Sequence, residues 1–153
     1  MVRRFAGLAE FAAAVGEHLG FGPWHEVTQR EVDLFADATG DHQWIHVDVE
    51  RATAGPFGGP VAHGYLTLSL IPLLVREVYS VEGLSMGVNY GLNRVRFPHP
   101  VRVGARVRAG VELVSVSEGG RGGERQAVLR VVVEVEGVGK PGCVAETVVL
   151  LVP

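Results

Sequence analysis

Two short segments carry residue types that could do chemistry together. In Thr39-Gly40-Asp41-His42-Gln43-Trp44-Ile45-His46-Val47-Asp48, a carboxylate (Asp41) and an imidazole (His46) stand five residues apart. In Pro60-Val61-Ala62-His63-Gly64-Tyr65-Leu66, a His-Gly pair opens a long apolar run. A carboxylate and an imidazole can share acid and base roles on one water. The first N–H groups of a helix can stabilise a developing oxyanion, with help from the helix dipole. The pairing suits proton transfer at a small-molecule carbonyl compound.

Other readings of the same residues bound that one. His42 and His46 are four apart, which on a helix would put both imidazoles on one face. The residues between them supply no Glu for a zinc hydrolase, and there is no Cys cluster, so no metal is expected. Gly64 would let a substrate come close to the backbone, or would simply allow tight packing at a helix start, with His63 satisfied by the loop. In Asn89-Tyr90-Gly91-Leu92-Asn93-Arg94-Val95-Arg96-Phe97, a continuous strand would put Asn89, Gly91 and Asn93 on one face. That face lines a ligand groove, or Gly91 marks a bulge at an edge. Arg94, Arg96, Arg102, Arg106 and Arg108 read as a solvated sheet face, or as a dock for the phosphates of a carrier.

These groups need elements to hold them. Thr28-Gln29-Arg30-Glu31 has the pattern of a capping box and predicts a helix that stops at Gly40, so that Asp41 follows a helix C-terminus. Trp44 and Ile45 should anchor the loop, and Asp48 should cap a short helix after it. Apolar spacing predicts an N-terminal helix over residues 5–19 and a long buried helix from about His63 to Ser80, which Pro72 would kink. Pro23 to Thr28 reads as a short edge strand. Four β-rich stretches follow, near 84–97, 102–117, 124–136 and 143–152, with a hairpin tip at Gly119-Gly120-Arg121-Gly122-Gly123. Helices first and antiparallel strands after predict an α+β fold, with one buried helix against a curved sheet.

The chain as a whole fits one domain over residues 1–153. Hydrophobic residues make up 47% and charged residues 20%, with a formal net charge of −3, which gives no general reason to bind nucleic acid. The lone Cys143 rules out an intrachain disulfide framework and fits a reducing cytosol, as a small residue in a strand. No secretory or membrane-spanning segment is expected, because the apolar run 66–75 is too short and Arg76 and Glu77 follow it. A cytoplasmic protein is the expectation.

From about Thr28 to the C-terminus the chain resembles the MaoC-like (R)-specific enoyl-CoA hydratase/dehydratase family, and within it the single-domain branch called NodN-like. Asp41, four residues, then His46 matches the motif of the family's overhanging loop. Pro60-Val61-Ala62-His63-Gly64 matches the mouth of its central helix, and Phe97-Pro98-His99-Pro100-Val101-Arg102-Val103-Gly104 resembles its strand-to-strand turn. Many members carry Asn-Pro where this chain has Gln43-Trp44, and the Gln variant occurs in the NodN-like branch.

The resemblance implies a single hotdog fold, an antiparallel sheet wrapped around a long central helix. It implies a lyase of fatty acid metabolism, with Asp41 and His46 catalytic. The Gly64 amide would be the oxyanion donor, and His63, Gln43, Asn89 and Gly91 would lie around the substrate. The substrate would be an acyl-CoA or acyl-carrier thioester, coenzyme A being part of it, with no separate cofactor. The resemblance further implies a homodimer whose sheets join edge to edge. A thioester hydrolase and a non-catalytic acyl-thioester-binding or regulatory protein are the alternatives.

Overall fold

A computed structural model describes residues 1–153. The chain runs β1 (Arg3–Phe5), α1 (Leu8–Ala13), β2 (His18–Phe21), β3 (His25–Glu26), α2 (Gln29–Thr39), α3 (Trp44–Val47), α4 (Val49–Thr53), α5 (Gly64–Ser69) and α6 (Ile71–Val75). It ends in β4 (Tyr79–Val81), β5 (Met86–Arg96), β6 (Arg106–Glu118), β7 (Arg125–Val135) and β8 (Cys143–Val152). The main sheet is antiparallel throughout, in the order β2-β6-β7-β8-β5, and β3 also pairs with β6. It therefore has six strands, because β2 and β3 both pair along β6.

Alternation builds this sheet. Ala127, Leu129, Val131, Val133 and Val135 of β7 are all buried on one face, in one core with Leu66, Ile71 and Leu74 of the helical segments. The opposite face is wet. There Arg108 pairs with Glu134 at 2.7 Å and lies over the rings of Phe21 and Trp24, while Arg106 pairs with Glu136. Register shifts in β6 between Leu113 and Ser115, and at two places in β5, interrupt the regular ladder.

Three elements differ from the sequence reading. The expected helix 5–19 is a strand, a six-residue helix and a second strand. Gly16 takes φ 90° and gives its N–H to Leu113, and Leu19 is buried in β2 beside β6. Long-range pairing overrides an apolar spacing that also fits a helix. The long helix 63–80 is instead α5 and α6, broken at Leu70. Pro72 has no N–H to continue the ladder, yet Leu70 still donates to Leu66 at 2.9 Å and Leu74 to Leu70 at 3.0 Å. Its last residues form β4, which pairs in parallel with β1 beside the antiparallel sheet, so not every strand is antiparallel.

The wrap around the helical segments is also incomplete within one chain. Tyr65, Ser69 and Pro72 are exposed, and so is nearly all of β5. A cleft of about 360 Å³ remains between this side of the helices and β5.

Candidate active site

Helix α2 delivers Asp41. Thr28 accepts from the Glu31 N–H at 3.1 Å and Glu31 accepts in return, which makes the predicted capping box. Gly40 ends the helix at φ 81°, in the left-handed region where a side chain is disfavoured. The chain turns there, and Asp41 starts the next loop. Its carboxylate is exposed and accepts the Gln43 N–H at 3.4 Å. Gln43 thus meets Asp41 through its backbone N–H. The Gln43 carbonyl accepts from the His46 N–H at 3.0 Å, which opens α3.

His46 sits in that short helix and is 6% exposed. Its Nδ1–H donates to the Val61 carbonyl at 2.6 Å. That bond fixes the tautomer and leaves Nε2 with a free lone pair. The same segment is tied twice more, because Val61 donates to the Ile45 carbonyl and Ala62 to the Val101 carbonyl. Trp44 and Ile45 are half-buried, and Trp44 packs against Gly55 and under the Arg51 guanidinium. Gln29, which the sequence reading missed, donates to the His46 carbonyl and to Asp33, both at 2.9 Å. The first helical position after a Thr cap, one turn from an acid, is the only signal the sequence carried for it.

His63 comes from the head of α5 and is 2% exposed. Its Nε2–H donates to the backbone carbonyl of Asp41 at 2.9 Å. Its ring stacks on that of His46, with centroids 3.8 Å apart and planes 24° apart, and the ring of Phe35 lies on it at 4.9 Å. A carboxylate oxygen of Asp41 and one ring nitrogen each from His46 and His63 lie within 4.8 Å of one another. A single water hydrogen-bonded at about 2.8 Å to two such atoms spans that gap. Such a trio also matches a metal-ligand set, but the stacking works against one. An ion about 2.0–2.1 Å from two imidazole nitrogens lies near both ring planes, and rings this nearly parallel share no such point. His42 does not share a helix with His46: it lies before α3 and bonds Asp37 at 2.9 Å.

Gly64 follows His63, and its N–H lies in the first turn of α5, where a helix offers no internal acceptor. A Cβ there would meet the Phe97 ring at 3.0 Å. The close approach that requires glycine is thus made by Phe97 of this chain. Asn89 and Gly91 line the cleft beside α5 and α6, whose lining does not include Asp41, His46 or His63. A shared face for Asn89, Gly91 and Asn93 required a continuous strand; β5 instead bulges between Asn89 and Gly91, the other reading of Gly91, and again between Leu92 and Arg94. Asn93 is drawn to Glu146 at 2.8 Å. Of the five arginines read as a solvated sheet face or as a phosphate dock, Arg106 and Arg108 are paired to carboxylates on the wet face of the sheet and Arg102 donates to the Gly58 carbonyl.

Burial pushes the pKa of His46 below its ordinary value of 6.5, and the His63 imidazole adds to that, against opposing effects of the Val61 carbonyl and Asp41. His46 is therefore a neutral base at neutral pH. Because its folded-state pKa is depressed, its contribution to stability is complete above about pH 6.5 and is lost as pH falls through the depressed value. Urea unfolding at stepped pH should show His46→Gln losing less stability than the unmutated protein below pH 6.5. Parallel losses would contradict a depressed His46. Burial also lifts the Cys143 thiol to about 11, which fits a small buried strand residue.

The family model described as MaoC like domain matches residues 10–136. The chain belongs to the MaoC-like family. This MaoC-like protein is 57% identical over 148 residues to a Mycobacterium tuberculosis protein named 3-hydroxyacyl-thioester dehydratase Z, with 97% of each chain covered. It is 41% identical to Nodulation protein N of Rhizobium leguminosarum, over 94% of this chain and 90% of that one. Among solved structures, the (R)-hydratase from A. caviae involved in PHA biosynthesis superposes with a TM-score of 0.72 at 27% identity, covering 91% of this chain and 96% of that one. These neighbours carry the hotdog fold expected from the sequence. No helix of the MaoC-like protein is long and apolar enough to cross a membrane.

Proposed function

We propose that the chain adds water to trans-2-enoyl thioesters to give (R)-3-hydroxyacyl thioesters, or runs the reverse dehydration. It is an enzyme of the lyase class, and its relatives are named for dehydration or hydration of thioesters. One observation carries the assignment of roles. His46 has Nδ1 pinned and Nε2 free, and one of its ring nitrogens lies within 4.8 Å of an Asp41 carboxylate oxygen, against the His63 ring at the head of the helix that Gly64 opens.

In hydration, Asp41 and His46 hold one water. The base takes one of its protons while the oxygen bonds to the β carbon. The electron pair of the double bond moves toward the thioester carbonyl, and the Gly64 N–H stabilises the enolate oxygen that develops. The acid form of the pair then delivers a proton to the α carbon. The cleft between α5, α6 and β5 takes the acyl chain, with Asn89 and Gly91 on its wall. The coenzyme or carrier is part of the substrate, so the scheme uses no separate cofactor.

A second copy of the chain completes the molecule in this reading. Strand β5 is a free edge, and Met86, Val88, Tyr90 and Leu92 are exposed along it, with Tyr65 at 71% on the adjoining helix. Unpaired edges with apolar side chains favour pairing. Light scattering should give twice the mass of one chain at micromolar concentration, and a stable monomer would contradict the edge-to-edge arrangement. The function itself is tested by incubation with crotonyl-CoA. Loss of the enoyl absorbance without free thiol supports hydration, whereas release of thiol makes the protein a thioester hydrolase.

A further inference from the structure

Position 63 is a poor place for a histidine if only packing counts. The ring is almost wholly buried between Phe35 and His46, and its Nδ1 is buried with no hydrogen-bond partner. A buried polar atom left unpaired costs stability, and a phenylalanine would fill the same slot without it. What the imidazole adds is the other nitrogen. Nε2 donates to the carbonyl of Asp41, across 22 residues of chain, while the ring face lies flat on His46. Thr67, one turn along α5 and also buried, sends its hydroxyl toward the His63 carbonyl. One side chain therefore touches both members of the acid–base pair and is fixed to the helix that Gly64 opens.

We propose that His63 is a positioning residue: its Nε2–H sets where Asp41 stands, and its ring sets the plane and the proton affinity of His46. This rests on the hydratase reading for its kinetic part only. The groups acting on the His46 imidazole are the Val61 carbonyl from the loop before α5, Asp41 from the loop after α2, and His63. On the α2 side, Asp33 is reached through Gln29, which bonds the His46 backbone. Two imidazoles stacked at 3.8 Å resist carrying two protons, so His63 favours the neutral base form of His46.

Two variants separate the two contacts. His63→Phe keeps the stack and deletes the donor to Asp41. His63→Gln keeps an N–H at similar reach and deletes the ring. With crotonyl-CoA as substrate, His63→Phe should lose on the order of 10²-fold in kcat with KM little changed, the size expected when a reacting group is displaced by about 1 Å. His63→Gln should recover most of that loss. Both should move the acid limb of the pH–rate profile upward, because neither keeps a second imidazole against His46.

The same shift is readable without turnover, by NMR titration of the His46 ring, assigned by its absence in His46→Gln. If the unmutated protein does not hydrate crotonyl-CoA, the functional reading fails, and the titration still decides whether His63 lowers the His46 pKa. Thermal unfolding accompanies each variant. Should His63→Phe not fold, the acid limb and titration of His63→Gln decide alone: an upward shift supports the inference and an unmoved one overturns it. Folded variants with unmutated kcat and an unmoved titration would reduce His63 to a packing residue and overturn the inference.

Discussion

Asp41→Asn and His46→Gln should each lower the hydration rate of a short enoyl-CoA on the order of 10²–10⁴-fold, the range for a positioned acid or base. Both substitutions keep size and hydrogen bonding, so the loss reports proton transfer and not collapse of the site. Asp41 is exposed, and replacing it should leave the melting temperature nearly unchanged. His46→Gln can still reach the Val61 carbonyl, though with a different geometry from the 2.6 Å bond of the imidazole. In the proposed mechanism the two residues act on one water, so the double variant should be little slower than either single one. Steady-state kinetics on all three, with circular dichroism for folding, make the comparison. Multiplicative losses in the double variant would mean that the two residues act in separate steps.

Leu113→Ala tests the opposite separation, a large loss of stability with chemistry intact. Leu113 is fully buried on β6, opposite Leu129, where the strand bulges toward Ser115. Its backbone also ties the N-terminal segment, accepting from Gly16 at 2.8 Å and donating to Glu17 at 3.0 Å, and those bonds survive the substitution. Removing a buried leucine side chain costs about 2–5 kcal/mol, set by how far the core can close over the cavity. In a chain of this size that corresponds to roughly 5–15 °C in melting temperature. Urea unfolding gives the free energy, and kcat per folded molecule should stay within about twofold, because β6 contributes no group to the Asp41–His46–His63 cluster. A parallel fall in kcat would show that the core and the site are coupled.

What the sequence made legible follows from how local each signal is. The α2 start and stop were readable because a Thr–Glu capping box and a left-handed Gly40 are decided within a few residues. Strand β8 was readable to the residue because Pro141-Gly142 precedes a run of β-branched residues. The N-terminal 19 residues were not, because the pairing of β2 with β6 lies some 90 residues along the chain and leaves no trace in local periodicity. The break of the central helix at Leu70 was visible as Pro72, but the return of its tail as the parallel partner of β1 was not.

At the site, Asp41, His46 and His63 were all singled out by type and spacing, and the structure brings them together. Their connections were not legible. The bonds His63 to Asp41, His46 to Val61 and Gln29 to His46 each join segments that only the fold makes adjacent. Asn89 and Gly91 were readable both as groove-lining residues and as the place of a bulge, and the structure has both; the second bulge, between Leu92 and Arg94, left no local signal.

The central claim is that Asp41 and His46 direct water to one face of an enoyl thioester whose oxygen is held at the Gly64 amide. The stereochemistry of the product tests it most directly. Crotonyl-CoA incubated with the unmutated protein should give (R)-3-hydroxybutyryl-CoA as the single enantiomer on chiral separation, and Asp41→Asn should give almost none. A racemic or (S) product, or no hydroxyacyl product at all, would contradict it.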